Sequence, residues 1–326
     1  MQKPRIISGR DSLRVEVYLI GYAPEGESVV LFMRDLKNNA ILYSIVVDCY
    51  EDENCHKTID ILDSNGIGRL KLDVLCWTHP DRDHSNGIDS IITSYCNKET
   101  RVLIPYGLEK QTLLIDQDDV FYIIDKVFQL GNQRNRHVQT ISSLEGQFCP
   151  VDDFEIICMD DSLRIPVKLV ALSPSNEYIA EKIHSNRPID KNELSIALSL
   201  NVGPYRYLMM GDVENPMIAK IRQDAVIDPL WLKIPHHSSS SSTKLIEILE
   251  QTGQYQLLSG TTVKTQSKLP NPNILHRYHN LSDFLHCTGV PQAEGDPCFG
   301  IIKYVFDLFG EFDVHITCEG NARVVQ

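Results

Sequence analysis

The chain has 326 residues, of which 23% are charged and 42% hydrophobic, and its formal net charge is −13. That length can bury one large core or two modest ones, and the composition excludes a disordered chain. The acidic balance excludes a surface that attracts nucleic acid or anionic membrane without specificity. Nine cysteines without a Cys-x-x-Cys pair do not describe a disulfide framework, so most are expected as reduced core residues. A ligand or redox role stays open for Cys49 and Cys76, which sit in or beside strand-like runs. No run approaches the roughly 18 apolar residues of a membrane span, and the first ten residues lack the apolar stretch of a signal peptide. A cytoplasmic location with no membrane partner is the expectation.

In chain order, 13–20, 28–34 and 41–48 read as strands of a meander, separated by turn chemistry at 21–26 and 37–39. Residues 55–67 read as a short helix ended by Gly66 and Gly68, and the apolar run 72–77 as a buried strand. Directly after it comes Thr78-His-Pro-Asp-Arg-Asp-His-Ser-Asn-Gly87, which places His79, Asp81, Asp83 and His84 within six residues. At i, i+2, i+4 and i+5 beyond a strand end, these side chains can face two neighbouring metal ions; imidazole suits zinc and carboxylate adds oxygen that also suits manganese. An ordinary capped turn before a helix at 87–95 accounts for one of the four residues, not for all.

A strand follows at 101–105, and 116–130 has helical spacing, with Val120, Phe121, Ile124, Val127 and Phe128 on one face. Arg134, Arg136 and His137 form a basic cluster that reads either as a solvated loop or as a phosphate contact. Residues 154–159 and 167–172 read as strands, and the segment 110–190 is the most loop-rich part of a single domain spanning 1–326. Residues 192–200 and 205–212 read as a hairpin that delivers Asp212 at a strand end, where Gly211 permits a close approach and one carboxylate can bridge two cations. A strand at 230–234 leads to Pro235-His236-His237 and then a helix at 242–251, which the serines 238–242 can cap. His276, His279 and His286 read as a polar helix face, and strands at 300–306 and 312–317 are expected to complete the second sheet.

The loop at 78–87 resembles the His-x-His-x-Asp-His motif of metallo-β-lactamase-fold hydrolases, with Asp81 in place of the second histidine. The series Asn192-Glu-Leu-Ser, Gly211-Asp and Lys233-Ile-Pro-His-His-Ser is similar to the corresponding domain of ComEC-type DNA-uptake proteins. The likeness runs from about residue 13 to 285. Ser238 stands where that branch has Gly, Met210 where it often has Thr, and Asn271 where it has His. Asn192 occupies the region of a third-motif histidine, for which His184 is the nearby substitute.

The resemblance implies an α/β protein with an αββα sandwich, two mixed sheets flanked by helices. It implies two divalent cations, Zn²⁺ first and Mn²⁺ as the alternative. His79 and Asp81 would serve mainly one ion, Asp83 and His84 the other, and Asp212 both. His237 would complete the set, with His236 as the alternate, and Asp48 and Asn192 would support it from behind. The implied chemistry is hydrolysis by a hydroxide bridging the ions, with Asp83, Asp212, His237 and His236 as the catalytic set, acting on a phosphodiester such as DNA or RNA. A small-molecule ester, lactone, thioester or lactam hydrolase is the alternative. A catalytically silent interaction module of a bacterial defence assembly is a third reading. A partner protein that supplies targeting is expected for a chain of this kind.

Overall fold

A computed structural model describes residues 4–52, 55–108, 113–114, 123–125, 127–129, 137–144, 147–253, 256–282, 284–289, 298–309 and 312–325. Among them the strands form two large mixed sheets and a two-stranded ribbon. The first sheet runs, in spatial order, Asp313–Gly320, Phe299–Asp307, Leu13–Tyr22, Glu27–Asp35, Ala40–Val47, Val74–Cys76, Arg101–Pro105 and His137–Ile141. The second runs Arg5–Ile7, Cys149–Cys158, Arg164–Ala171, Leu198–Val202, Tyr205–Met209, Trp231–Lys233, Leu258–Thr261, Phe284–Cys287 and Arg323–Val324.

Period-two alternation decides how the sheets pack. Val15, Val17 and Leu19 of one strand, Val29, Leu31 and Met33 of the next, and Tyr43, Ile45 and Val47 of the third share one buried cluster with Leu169, Leu200, Tyr207 and Trp231 of the other sheet. That cluster is the layer between two face-to-face sheets. The intervening residues Val30, Phe32, Val46, Leu75, Leu208 and Leu232 point the other way, where they pack with Leu62, Ile88, Ile91, Leu245 and Leu249 from the helices Lys57–Ser64, Ile88–Tyr95 and Thr243–Gln251. The result is the expected αββα sandwich.

Each sheet has an antiparallel part and a run of four parallel strands. In the first the parallel run is Ala40–Val47, Val74–Cys76, Arg101–Pro105 and His137–Ile141; in the second it is Tyr205–Met209, Trp231–Lys233, Leu258–Thr261 and Phe284–Cys287. Parallel strands present all their carboxyl ends at one edge, so the loops after them gather there, as in other α/β sheets that bind ligands.

Several expectations change. The final hairpin, Phe299–Asp307 with Asp313–Gly320, pairs with Leu13–Tyr22 and so extends the first sheet, not the second. His276 and His279 lie on the helix Pro272–His279, whereas His286 is on the strand Phe284–Cys287 with its ring edge-on to Tyr304, so the three do not share a helix face. Residues 192–194 belong to a 3₁₀ turn, Lys191–Leu194, closed by an Asp190/Glu193 capping box, and the strand begins at Leu198. Of the helix expected at 116–130, residues 123–125 and 127–129 are helical, while Val120 and Phe121 lie outside the described residues, as do Arg134 and Arg136. No helix among the described residues is long and apolar enough to cross a membrane.

Candidate metal centre

The carboxyl ends of the parallel strands supply nearly every group of the site. After Ala40–Val47 comes Asp48, and after Val74–Cys76 comes the loop that holds His79, Asp81, Asp83 and His84. The register pairs Val47 with Cys76, and the Asp48 amide donates to the Cys76 carbonyl at 2.8 Å, which sets Asp48 against Thr78. In the other sheet, Met209, Lys233 and Gly260 are in register, so Asp212, the turn Pro235–Ser238 and the segment Thr262–Lys264 emerge side by side.

Three imidazoles are held by the same device. His84 Nδ1 lies 2.7 Å from Asp48 Oδ2, and that carboxylate also accepts from the Thr78 amide and hydroxyl, each at 2.7 Å. The Thr78 hydroxyl proton is thereby committed to Asp48, so at 2.9 Å the His79 Nδ1–H donates to the Thr78 oxygen. His237 Nδ1–H donates at 2.8 Å to Thr262 Oγ1, whose own proton goes to Glu27 Oε2. Each network fixes the Nδ1–H tautomer and leaves an Nε2 lone pair facing inward. Metal-ligating histidines are oriented in this way.

What those lone pairs face is a set of buried polar atoms without hydrogen-bond partners, His79 Nε2, His84 Nε2, His237 Nε2, Asp83 Oδ1 and Asp212 Oδ2, together with Asp83 Oδ2, which has Lys264 Nζ at 2.8 Å. Burying such groups unpaired costs several kcal/mol unless something joins them. Around the ring of four, His84 Nε2 to Asp212 Oδ2 is 3.4 Å, Asp212 Oδ2 to His237 Nε2 3.4 Å, His237 Nε2 to Asp83 Oδ2 3.2 Å, and Asp83 Oδ2 to His84 Nε2 3.7 Å. A tetrahedral cation with bonds of about 2.1 Å has ligand–ligand edges of about 3.4 Å, and these four separations are close to that value for a first-row divalent ion. The His79 ring packs on that of His84 with centroids 4.3 Å apart.

Glu27 also brings a carboxylate oxygen within 4.8 Å of donor atoms of His84, Asp212 and His237. It meets the imidazoles on their Nδ1 side, 3.7 Å from His84 and 3.5 Å from His237, and its oxygens are taken by Lys233 Nζ at 2.6 Å and by Thr262. Glu27 therefore orients the rings, and Asp83 is the better fourth donor.

The electrostatics are those of a charge cluster held out of water. Burial disfavours the charge on His84, yet Asp212, Asp83, Glu27 and Asp48 outweigh it and raise the ring's pKa well above its ordinary value. His237 is buried too, and Asp212, Asp83 and Glu27 bring it to about 8. His79 is pushed well down by burial and then by His84, which Asp212 and Asp83 offset only in part. Burial works against charge on Asp212, but His237, His84, Lys233 and His236 hold its carboxyl well below the usual range.

The turn after Trp231–Lys233 sends the two adjacent histidines in different directions. His236, His237 and Ser238 all adopt left-handed φ values of 48°, 48° and 60°. For residues other than glycine that costs about 1–2 kcal/mol each, and it persists because the turn is tied at both ends. The His236 amide donates to the Gly211 carbonyl at 3.1 Å, and Ser238 Oγ donates to Thr261 Oγ1 at 2.9 Å. This bend points His237 inward. His236 Nε2 stays 3.9 Å from Asp212, while its Nδ1 side turns to Ser241 at 2.9 Å and Glu214 at 3.1 Å. Gly211 has φ +51°, and a Cβ there would lie 2.7 Å from Ser195 Oγ, so Gly is required beside Asp212.

The other anticipated residues take different places. Asp81 caps the short helix Arg82–Ser85 through the Arg82 amide, and its carboxylate lies 2.7 Å from Lys191 Nζ and 3.1 Å from Lys264 Nζ. Asn192 stands behind the site, with Nδ2 3.4 Å from Glu214. His184 is exposed at the end of its helix, and Asn271 caps the helix Pro272–His279. Cys49 and Cys76 are buried in apolar clusters, and burial raises both thiols well above the ordinary range.

Sequence reasoning missed Glu27, Thr262, Lys191, Lys233 and Lys264. Lys233 carried a signal: a charge inside the apolar run 230–234 must find a buried partner.

No protein-family model matches the chain, and no curated protein matches it. Among solved structures, a protein from Parabacteroides distasonis inferred to be a metal-dependent hydrolase overlaps at 13% identity over 77% of this chain and 84% of that one, with a TM-score of 0.38. The Rm3 metallo-β-lactamase overlaps at 13% identity over 79% of this chain and 78% of that one, with a TM-score of 0.34. Likeness this distant assigns neither activity nor substrate, and the site's chemistry rests on the chain's own residues.

Proposed function

We propose that this chain is a metal-dependent hydrolase and that its substrate is a phosphodiester, nucleic acid first. The observation that supports the metal is the ring of inward-facing buried donors from Asp83, His84, Asp212 and His237, in which the two imidazole Nε2 atoms and Asp212 Oδ2 have no hydrogen-bond partner. A divalent cation bound there supplies Lewis acidity and a water that ionises near neutral pH. The protein's part is to keep each imidazole in the Nδ1–H tautomer through Asp48, Thr78, Thr262 and Glu27, so that no proton stands between ring and cation. Lys233 Nζ, 3.3 Å from Asp212 Oδ1 and 2.7 Å from the Gly211 carbonyl, holds that carboxylate in place. His236, partly exposed and paired with Glu214, is placed to move a proton between the site and solvent.

The phosphodiester assignment rests on the order of motifs that resembles ComEC-type domains. The net charge of −13 favours the second reading, a small-molecule ester or lactone hydrolase, because it repels a polyanion. Metal-stripped protein, restored with Zn²⁺ or Mn²⁺, is assayed on bis-p-nitrophenyl phosphate and on labelled single- and double-stranded DNA and RNA, beside Asp212→Ala. Metal-dependent cleavage lost in the variant supports the phosphodiesterase. Cleavage of p-nitrophenyl esters or lactones alone transfers the assignment to the small-molecule hydrolase.

A further inference from the structure

The lysines around the site have no place in the two-ion arrangement that the motif suggests. Lys264 Nζ lies 2.8 Å from Asp83 Oδ2 and 3.1 Å from Asp81 Oδ2, and Lys191 Nζ lies 2.7 Å from Asp81 Oδ1. Asp81, the residue that stands for the motif's second histidine, therefore has both oxygens engaged by ammonium groups. Lys264 is largely covered, with 13% of its side chain exposed, and it enters from the loop that closes on itself through the Lys264 and Leu269 amides and carbonyls. It is a built part of the site, not a surface lysine that happens to lie near.

We infer that Lys264 and Lys191 stand where a second metal ion would, so that the centre holds one divalent cation, on Asp83, His84, Asp212 and His237. This rests on the metal reading above and refines it. A second cation placed against Asp81 and Asp83 would sit beside the ammonium groups of Lys191 and Lys264, and like charges held that close in a largely covered site are costly.

The test counts ions, not turnover. Full-length metal-stripped protein is saturated with Zn²⁺ and, separately, Mn²⁺, and bound metal is measured by native mass spectrometry and elemental analysis. The wild type should hold one ion per chain. The double variant Lys191→Met, Lys264→Met, which frees both oxygens of Asp81, should hold two, and Lys264→Arg, which keeps the charge, should stay at one. Anomalous diffraction from wild-type crystals gives the answer without a variant: a single peak, with Lys264 Nζ still against Asp81 and Asp83. Two ions in the wild type, or one in both the wild type and the double variant, would overturn the inference and leave the metal reading standing. No ion in the wild type would overturn both.

Discussion

Asp48→Asn tests the orientation of the imidazoles with the smallest change of shape. The carboxylate accepts from the Thr78 amide, the Thr78 hydroxyl and His84 Nδ1, all at 2.7 Å. An amide of the same outline keeps one acceptor, which the Thr78 amide can use. Its NH₂ group then faces two donors, and the arrangement relaxes only if Thr78 turns its proton away and His84 Nδ1 becomes an acceptor. That moves the His84 proton to Nε2, on the side that faces Asp83 and Asp212. Each lost hydrogen bond to a charged group is worth about 1.5–3 kcal/mol, partly recovered by the new pairing, so a net destabilisation of about 1–3 kcal/mol is expected. Loss of such a supporting partner costs about 10–100-fold in metal affinity, or about 1.4–2.7 kcal/mol. Competition between metal-stripped protein and a chromophoric chelator measures the affinity, and urea titration measures stability. Affinity within twofold of the wild type would refute the claim that Asp48 selects the tautomer of His84.

Lys233→Met should destabilise the metal-free protein by about 3–5 kcal/mol, since it strands the buried Glu27 and Asp212; a shift in the urea midpoint worth under 1 kcal/mol would contradict the pairing. The pKa of His237, near 8 in the folded metal-free chain against about 6.5 unfolded, predicts a pH effect on stability. The stabilisation from its proton is complete below pH 6.5 and is lost as pH rises through 8, by an order of 2 kcal/mol, so metal-free protein should unfold at lower urea at pH 8.5 than at pH 6. Metal affinity should move the opposite way, rising with pH as His84 and His237 give up the protons that a cation must displace. A chelator competition series from pH 6 to 8.5 that shows flat affinity would exclude protonation of these rings.

How much of this was legible in the sequence follows from how the site is built. His79, Asp83, His84, Asp212 and His237 stand out because each follows an apolar strand and because ligand chemistry is dense there. Local pattern suffices for them. Glu27 is a single polar residue more than two hundred positions from Thr262 and Lys264, joined to them only because Glu27–Asp35 begins, and Leu258–Thr261 ends, at the same edge of facing sheets. Nothing local marks them. The choice of His237 over His236 depends on three consecutive left-handed residues, which side-chain identity does not announce in a His-His-Ser sequence. Sheet membership of the last hairpin was likewise out of reach, since pairing of Phe299–Asp307 with Leu13–Tyr22 is a contact between the two ends of the chain. Strands as short as Arg5–Ile7 lack the length for a periodic signal.

The central claim is that inward-facing Nε2 atoms of His84 and His237 ligate a cation while His236 does not. Long-range ¹H–¹⁵N spectra of imidazole-labelled, metal-stripped protein, titrated with Zn²⁺, address it without any knowledge of the substrate. The Nε2 resonances of His84 and His237 should move to the metal-ligated range with Nδ1 protonated in both, and those of His236 should stay in place. If the His84 and His237 nitrogens do not respond to Zn²⁺, the site is a buried ion cluster and the hydrolase assignment falls with it.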